Sequence, residues 1–177
     1  MKKEKNKLLF IILRYLFVLL IALPKLEIFY FIFTPLTLYP VYFLLNLVYN
    51  TLFFQNTLIL QGYSIDIISA CVAGSAYYLL LLLNFSVSMP IKKRILSLVF
   101  SLFSFLIINI LRIFIFSILL VSSFQYFDIT HKIFWYFLSA VFVFLIWLAT
   151  IKIFRIQEIP FYDDLKFMYK LTKKVKR

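Results

Sequence analysis

Nucleophilic chemistry at neutral pH needs a thiol or hydroxyl and a base to activate it. This chain has one cysteine, Cys71 in "ISACVAGSAYY", and one histidine, His131 in "DITHKIFW". A thiol is only a few per cent thiolate at pH 7, so Cys71 needs an adjacent base, and His131 is the only imidazole on offer. A third polar group, Arg112, interrupts the run "FLIINILRIFIFSILL". A guanidinium there is costly and faces a cavity or a partner unless it snorkels to an interface. It stays protonated and so is no base. It can stabilise a thiolate or a tetrahedral oxyanion, or hold a substrate carboxylate. Together the three permit acyl transfer, with Cys71 as nucleophile and His131 as general base and acid. The plainer reading is a small apolar cysteine and an interfacial histidine.

Three further residues belong to this constellation. Asn109 lies three positions before Arg112 on the same helix face. Asp128 lies three before His131 and either orients the imidazole or, more simply, caps the helix. Gly74, three after Cys71, leaves space for another backbone or a substrate to approach. Other chemistries lack their residues. One cysteine allows no internal disulfide and no CxxC site, and one histidine without a carboxylate pair builds no zinc site, so neither metal nor cofactor is expected. There is no GxSG serine site, no HExxH and no aspartate pair within an apolar run.

The elements that hold these residues are read from hydropathy. Of 177 residues, 64% are hydrophobic and 21% aromatic, more than a soluble domain of this size carries, so the surplus must face lipid. The net charge of +12 is not spread evenly: of 19 Lys and Arg, four lie at 2–7, three at 92–94 and eight at 152–177. Short basic segments flanking apolar runs are the positive-inside pattern, not a nucleic-acid face. Four runs suit spans, about 8–33, 70–88, 95–120 and 131–151. The start "MKKEKNK" and the apolar residues after it lack a small-x-small cleavage site, so the first run is read as a retained span. The stretch 34–54, broken by Pro35, Pro40, Asn46 and Asn50, is expected to be interfacial or re-entrant. Two crossings there would put the basic segment at 92–94 outside.

The expected fold is an all-α integral membrane protein, a multi-pass helical bundle forming one domain over 1–177. A small outer-face hairpin is expected from "TLIL" (57–60) and "YSIDI" (63–67) around Gln61-Gly62. The basic tail, 155–177, sets Phe161, Leu165, Met168 and Leu171 opposite Lys166, Lys170, Lys173 and Lys174, an amphipathic helix for the inner leaflet. With both termini cytoplasmic, Cys71 and His131 each open a span at its outer end. At ~1.5 Å per residue Arg112, late in a run that starts near 95, reaches the outer leaflet too. The three polar residues therefore meet at one depth, on the outside of the cell membrane.

An outer-face cysteine after a hairpin-like segment ("IDIISAC"), then "NILRI", then a histidine opening the last span resembles the archaeosortase/exosortase family, in particular its small archaeal variants. This chain reads "CVAG" where the family commonly has "CSG" or "CTG". The resemblance implies a membrane-embedded cysteine transpeptidase with Cys71 as nucleophile, Arg112 as the family arginine and His131 as the third member. Implied partners are exported proteins whose C-terminal signal joins a short motif, an apolar span and a basic cluster, together with membrane lipids and a lipid or other acceptor nucleophile. The alternatives are a small transporter or channel subunit, with Arg112 lining an anion path, and a non-catalytic membrane assembly protein. Two glycines in the chain argue against the former.

Overall fold

The computed structural model describes residues 2–23 and 25–175, and these are mostly helical. Helix α1 (Lys2–Ala22) is followed by a turn in which Lys25 and Leu26 have φ of 48° and 63°, and then by α2 (Glu27–Val48). The expected single run over 8–33 is thus two helices. A proline at 24 withholds a backbone N–H and disfavours helix at the residue before it. Pro24 itself, expected to perturb the first span, lies outside the described residues, as do tail residues 176–177. Val18 of α1 and Phe29 of α2 both meet Tyr78, through its hydroxyl and its ring, so the two helices come side by side against the same neighbour.

Within the 34–54 stretch the expected interruption at Pro35 and Pro40 is absent, because α2 runs unbroken through both. Each proline removes one helical hydrogen bond, which packing outweighs here. Phe29, Phe33, Thr37, Val41 and Leu45 recur every fourth residue and are all buried. Phe33 stacks on Tyr77, ring centroids 3.6 Å apart.

The rest of the 34–54 stretch enters a three-stranded antiparallel sheet, β1 (Leu52–Phe54), β2 (Thr57–Leu60) and β3 (Tyr63–Asp66), in that order. The β2–β3 turn uses Gln61 and Gly62, with φ of 48° and 85°, the paired positive φ that matches strand twist in two-residue hairpins. Leu58 and Leu60 are buried beneath the sheet. Phe53 packs on Tyr39 and Tyr42 of α2, and the Tyr63 hydroxyl is 3.2 Å from Ser123 Oγ.

The expected 70–88 span is α3 (Ser69–Val72) and α4 (Gly74–Phe85), separated at Ala73, whose φ is 59°. Helix α5 (Ile91–Val121) lies centrally against α2, α4 and α7. Its buried face reads Arg94, Ser97, Ser101, Phe105, Asn109, Ile113 and Phe116. The small polar residues on that stripe let neighbouring backbones come close. The 131–151 expectation becomes α6 (Phe127–Ile133), a π-helical turn over Phe134–Leu138, and α7 (Ser139–Ile153). Two of the described helices, α2 and α5, are long and apolar enough to cross a membrane, while residues 69–85 and α7 are apolar but shorter.

The basic segments gather at the end of α4 away from the sheet. Arg94, the last residue of the basic segment at 92–94, is 4% exposed and donates to the carbonyls of Asn84 and Val87 at 2.8 and 2.7 Å. It closes the C-terminal end of α4, whose last carbonyls have no helical donor. Lys93 Nζ donates to the Arg155 carbonyl. Helix α8 (Tyr162–Val175) docks on α1 through an Arg14–Asp164 ion pair, supported by the Tyr15 hydroxyl. Leu165 and Met168 of its apolar stripe stay exposed. Arg14 is 4% and Asp164 6% exposed, so losing one partner strands a buried charge. Asp164→Ala is expected to cost about 3–5 kcal/mol. Thermal melts of the detergent-solubilised protein should show that loss, and the double variant Arg14→Met with Asp164→Leu should recover most of it.

Candidate active site

The short helix α3 explains how Cys71 is held. Ala73 turns the chain out of helix, so the carbonyls of Cys71 and Val72 lose the amides that a continuous helix would supply. Helix α5 provides the missing donors. Asn109 Nδ2 lies 3.0 Å from the Cys71 carbonyl oxygen and 3.3 Å from that of Val72, and Arg112 Nη2 lies 3.1 Å from the Cys71 carbonyl. On the other side the Cys71 N–H donates to the Ile68 carbonyl at 2.9 Å. The residue is anchored by its backbone, which leaves the thiol to face the Asp66 carbonyl at 3.9 Å.

Arg112 Nη1 also donates to Ser139 Oγ at 3.0 Å, and that hydroxyl donates to the Phe134 carbonyl at 3.1 Å. The π-helical turn shifts the register of the helix at this point, and such insertions often accompany functional sites. His131 is half-buried, stacked on Phe127 at 5.6 Å between centroids and edge-on to Phe116 at 5.2 Å. Cys71, Arg112 and His131 all line one cavity of about 310 Å³. Its remaining wall is the β3 segment 64–68 and an apolar face built from Ile113, Phe116, Leu120 and Phe134.

The supporting residues divide. Asn109 is 1% exposed and touches the cysteine backbone directly. Asp128 is exposed and does not line the cavity. It sits in the first turn of α6, where a carboxylate suits the helix dipole, and the N-cap position is Tyr126, without a side-chain cap. Gly74 is buried, but what approaches it is the Tyr30 ring of α2. A Cβ at 74 would lie 2.7 Å from Tyr30 Cε1. Its lack of a side chain therefore serves helix packing beside the cysteine. Ser139 and Asp66 escaped the sequence reading. Ser139 carried the same signal as Arg112, a polar group in an apolar run, whereas the role of Asp66 lies in its backbone. Among the described residues no group of three His, Cys, Asp or Glu side chains is arranged to hold a metal.

No family model, curated protein or solved structure matches this chain. Function must accordingly be argued from the site itself.

The contact at Gly74 has a direct consequence. Gly74→Ala overpacks the α2–α4 contact and is expected to cost about 1–3 kcal/mol. In a Tyr30→Leu background the same substitution should cost close to nothing. Melting temperatures of the four proteins in that cycle measure the coupling.

Proposed function

We propose that this protein is a multi-pass membrane cysteine peptidase or transpeptidase of archaeosortase type, cleaving C-terminal sorting signals of exported proteins at the outer membrane face. The observation that carries this reading is the shared cavity. The only thiol, the only imidazole and a guanidinium from the middle of an apolar helix come from three distant segments and open onto one space.

Support for the membrane setting comes from where the apolar surface lies. Only 33% of each long apolar window in α2 and α5 is buried, where the core helix of a soluble protein would be mostly buried. Phe31, Phe103 and Phe144 are 85%, 60% and 59% exposed, far more apolar surface than a soluble monomer tolerates. The basic segments at 2–7, 92–94 and 152–175 lie toward the end opposite the sheet, which fits cytoplasmic termini and an outward-facing cavity.

In the proposed reaction His131 takes the thiol proton and the Cys71 sulfur attacks the scissile carbonyl. The tetrahedral intermediate collapses to a thioester, and His131 returns the proton to the departing amine. A second nucleophile, water or an acceptor amine or hydroxyl, then attacks the thioester and releases the thiol. Arg112 has five N–H donors. The Ser139 hydroxyl and the Cys71 carbonyl engage two of them, and the others are available to the developing oxyanion. Bonding to the carbonyl of the nucleophile itself keeps that charge at a fixed distance from the reacting atoms.

Two measurements test the reading. Cys71→Ala and Cys71→Ser should abolish processing of a co-expressed exported reporter carrying a motif, span and basic tail, while the protein still accumulates in the membrane; full processing by Cys71→Ala would sink the proposal. Arg112→Lys should process at least about a hundredfold more slowly, since losing an oxyanion donor typically costs that much. In intact cells, a membrane-impermeant maleimide should label Cys71 from outside, with a rate that climbs as the pH is made more alkaline and the thiolate fraction grows.

A further inference from the structure

The cavity is bounded on one side by five consecutive residues, Ser64 to Ile68. A strand presenting a face to a space lines it with alternate residues, whereas consecutive residues mean that its edge faces the space. Strand β3 is an edge strand, paired only with β2. Ile67 N–H donates to the Asn56 carbonyl on the β2 side at 2.9 Å. Backbone groups in an antiparallel pair alternate in direction, so those of Tyr63 and Ile65 also turn to β2, and those of Ser64 and Asp66 turn outward into the cavity. The Cys71 thiol confirms the sense of that alternation, because the carbonyl it faces is that of Asp66.

The opposite wall is one face of α5, from Arg112 through Ile113, Phe116 and Ser117 to Leu120. Eight helical steps from Arg112 to Leu120 span about 12 Å. Strand β3 ends at Asp66, whose carbonyl accepts from the Ile68 N–H at 3.1 Å, so the outward groups that remain without a backbone partner are the N–H and carbonyl of Ser64 and the N–H of Asp66. The Tyr63–Ser123 contact joins the two walls at one end, and Cys71 with Arg112 stands at the other.

We propose that this groove binds an extended peptide as a fourth strand on β3, with its backbone paired to Ser64 and Asp66 and its scissile carbonyl delivered to Cys71. The identity of the peptide as a substrate rests on the peptidase reading; the docking mode does not. About four residues fit along the groove. A folded or helical segment cannot use these donors and acceptors, and the site therefore requires the peptide to be unwound before cleavage.

The test needs no natural substrate. Acetyl-trivalyl chloromethyl ketone and chloroacetone both alkylate a thiol, and intact mass gives the rate at Cys71 in the full-length, detergent-solubilised protein. The ratio of the two rates cancels changes in the thiol itself. Strand pairing is expected to raise that ratio by about tenfold or more, as a few backbone hydrogen bonds allow. N-methylating successive amides of the probe should remove the gain at alternate positions. Ser64→Pro, which deletes an outward N–H on an edge strand where proline is tolerated, should remove it as well. A ratio below about twofold, an insensitivity to every N-methylation, or an undiminished ratio in Ser64→Pro each overturns strand pairing. Reporter processing is read separately. A protein with the alternating signature that leaves reporter tails uncut keeps the groove and loses the peptidase reading, and the reverse result does the opposite.

Discussion

Two carbonyl groups with no helical partner organise this molecule. The left-handed residue at Ala73 separates α3 from α4 and leaves the Cys71 and Val72 oxygens without amides. In a setting with little water that deficit has to be met by protein groups, because an unsatisfied buried carbonyl costs free energy comparable to a lost hydrogen bond. Asn109 and Arg112 meet it from α5, 38 and 41 residues further along the chain. The same bonds lock the cysteine backbone to the longest helix of the bundle. Arg112 thus has a structural reason to be inside an apolar helix, and that reason holds its guanidinium beside the thiol-bearing residue. Position and chemistry come from one interaction.

A similar arrangement closes the far end of α4. Arg94 supplies donors to the carbonyls of Asn84 and Val87, and Asn84 reaches Ser97 at 2.7 Å. The C-terminal ends of α3 and α4 are thus both satisfied by side chains from α5. The small polar residues along α5, Ser97, Ser101 and Asn109, keep it near its neighbours. Between these polar ends the packing is aromatic, with Tyr77 stacked on Phe33 and edge-on to Phe105 at 4.9 Å. Rigidity at the cysteine follows from this construction.

Much of the site was legible before the structure. A lone cysteine, a lone histidine and an arginine within an apolar run stand out because a polar residue in an otherwise apolar stretch is costly unless something engages it. Charge clustering indicated which ends of the apolar runs lie together. The hairpin over 57–60 and 63–66 was equally plain, because Gln61-Gly62 sits between two alternating runs. What the sequence misreported was continuity. Prolines at 35 and 40 suggested a broken segment, yet a buried stripe from Phe29 to Leu45 carries the helix through both. The first apolar run, by contrast, is divided in a turn where two non-glycine residues adopt positive φ.

By itself, then, the sequence determined which residue types are available for chemistry, that most of the chain is apolar helix, and where its charge lies, since these depend only on composition and local order. The tertiary structure alone decided what those residues touch. Arg112 bonds to a carbonyl and to Ser139 because of a helix break and a π-helical turn, neither of which hydropathy encodes. Gly74 accommodates Tyr30 from a helix some 40 residues away in sequence. The direction in which Ser64 and Asp66 turn their backbone groups depends on the pairing of β3 with β2. Peptide groups are chemically alike at every residue, so only the fold tells which way each of them turns, and here the Asp66 carbonyl turns toward the thiol.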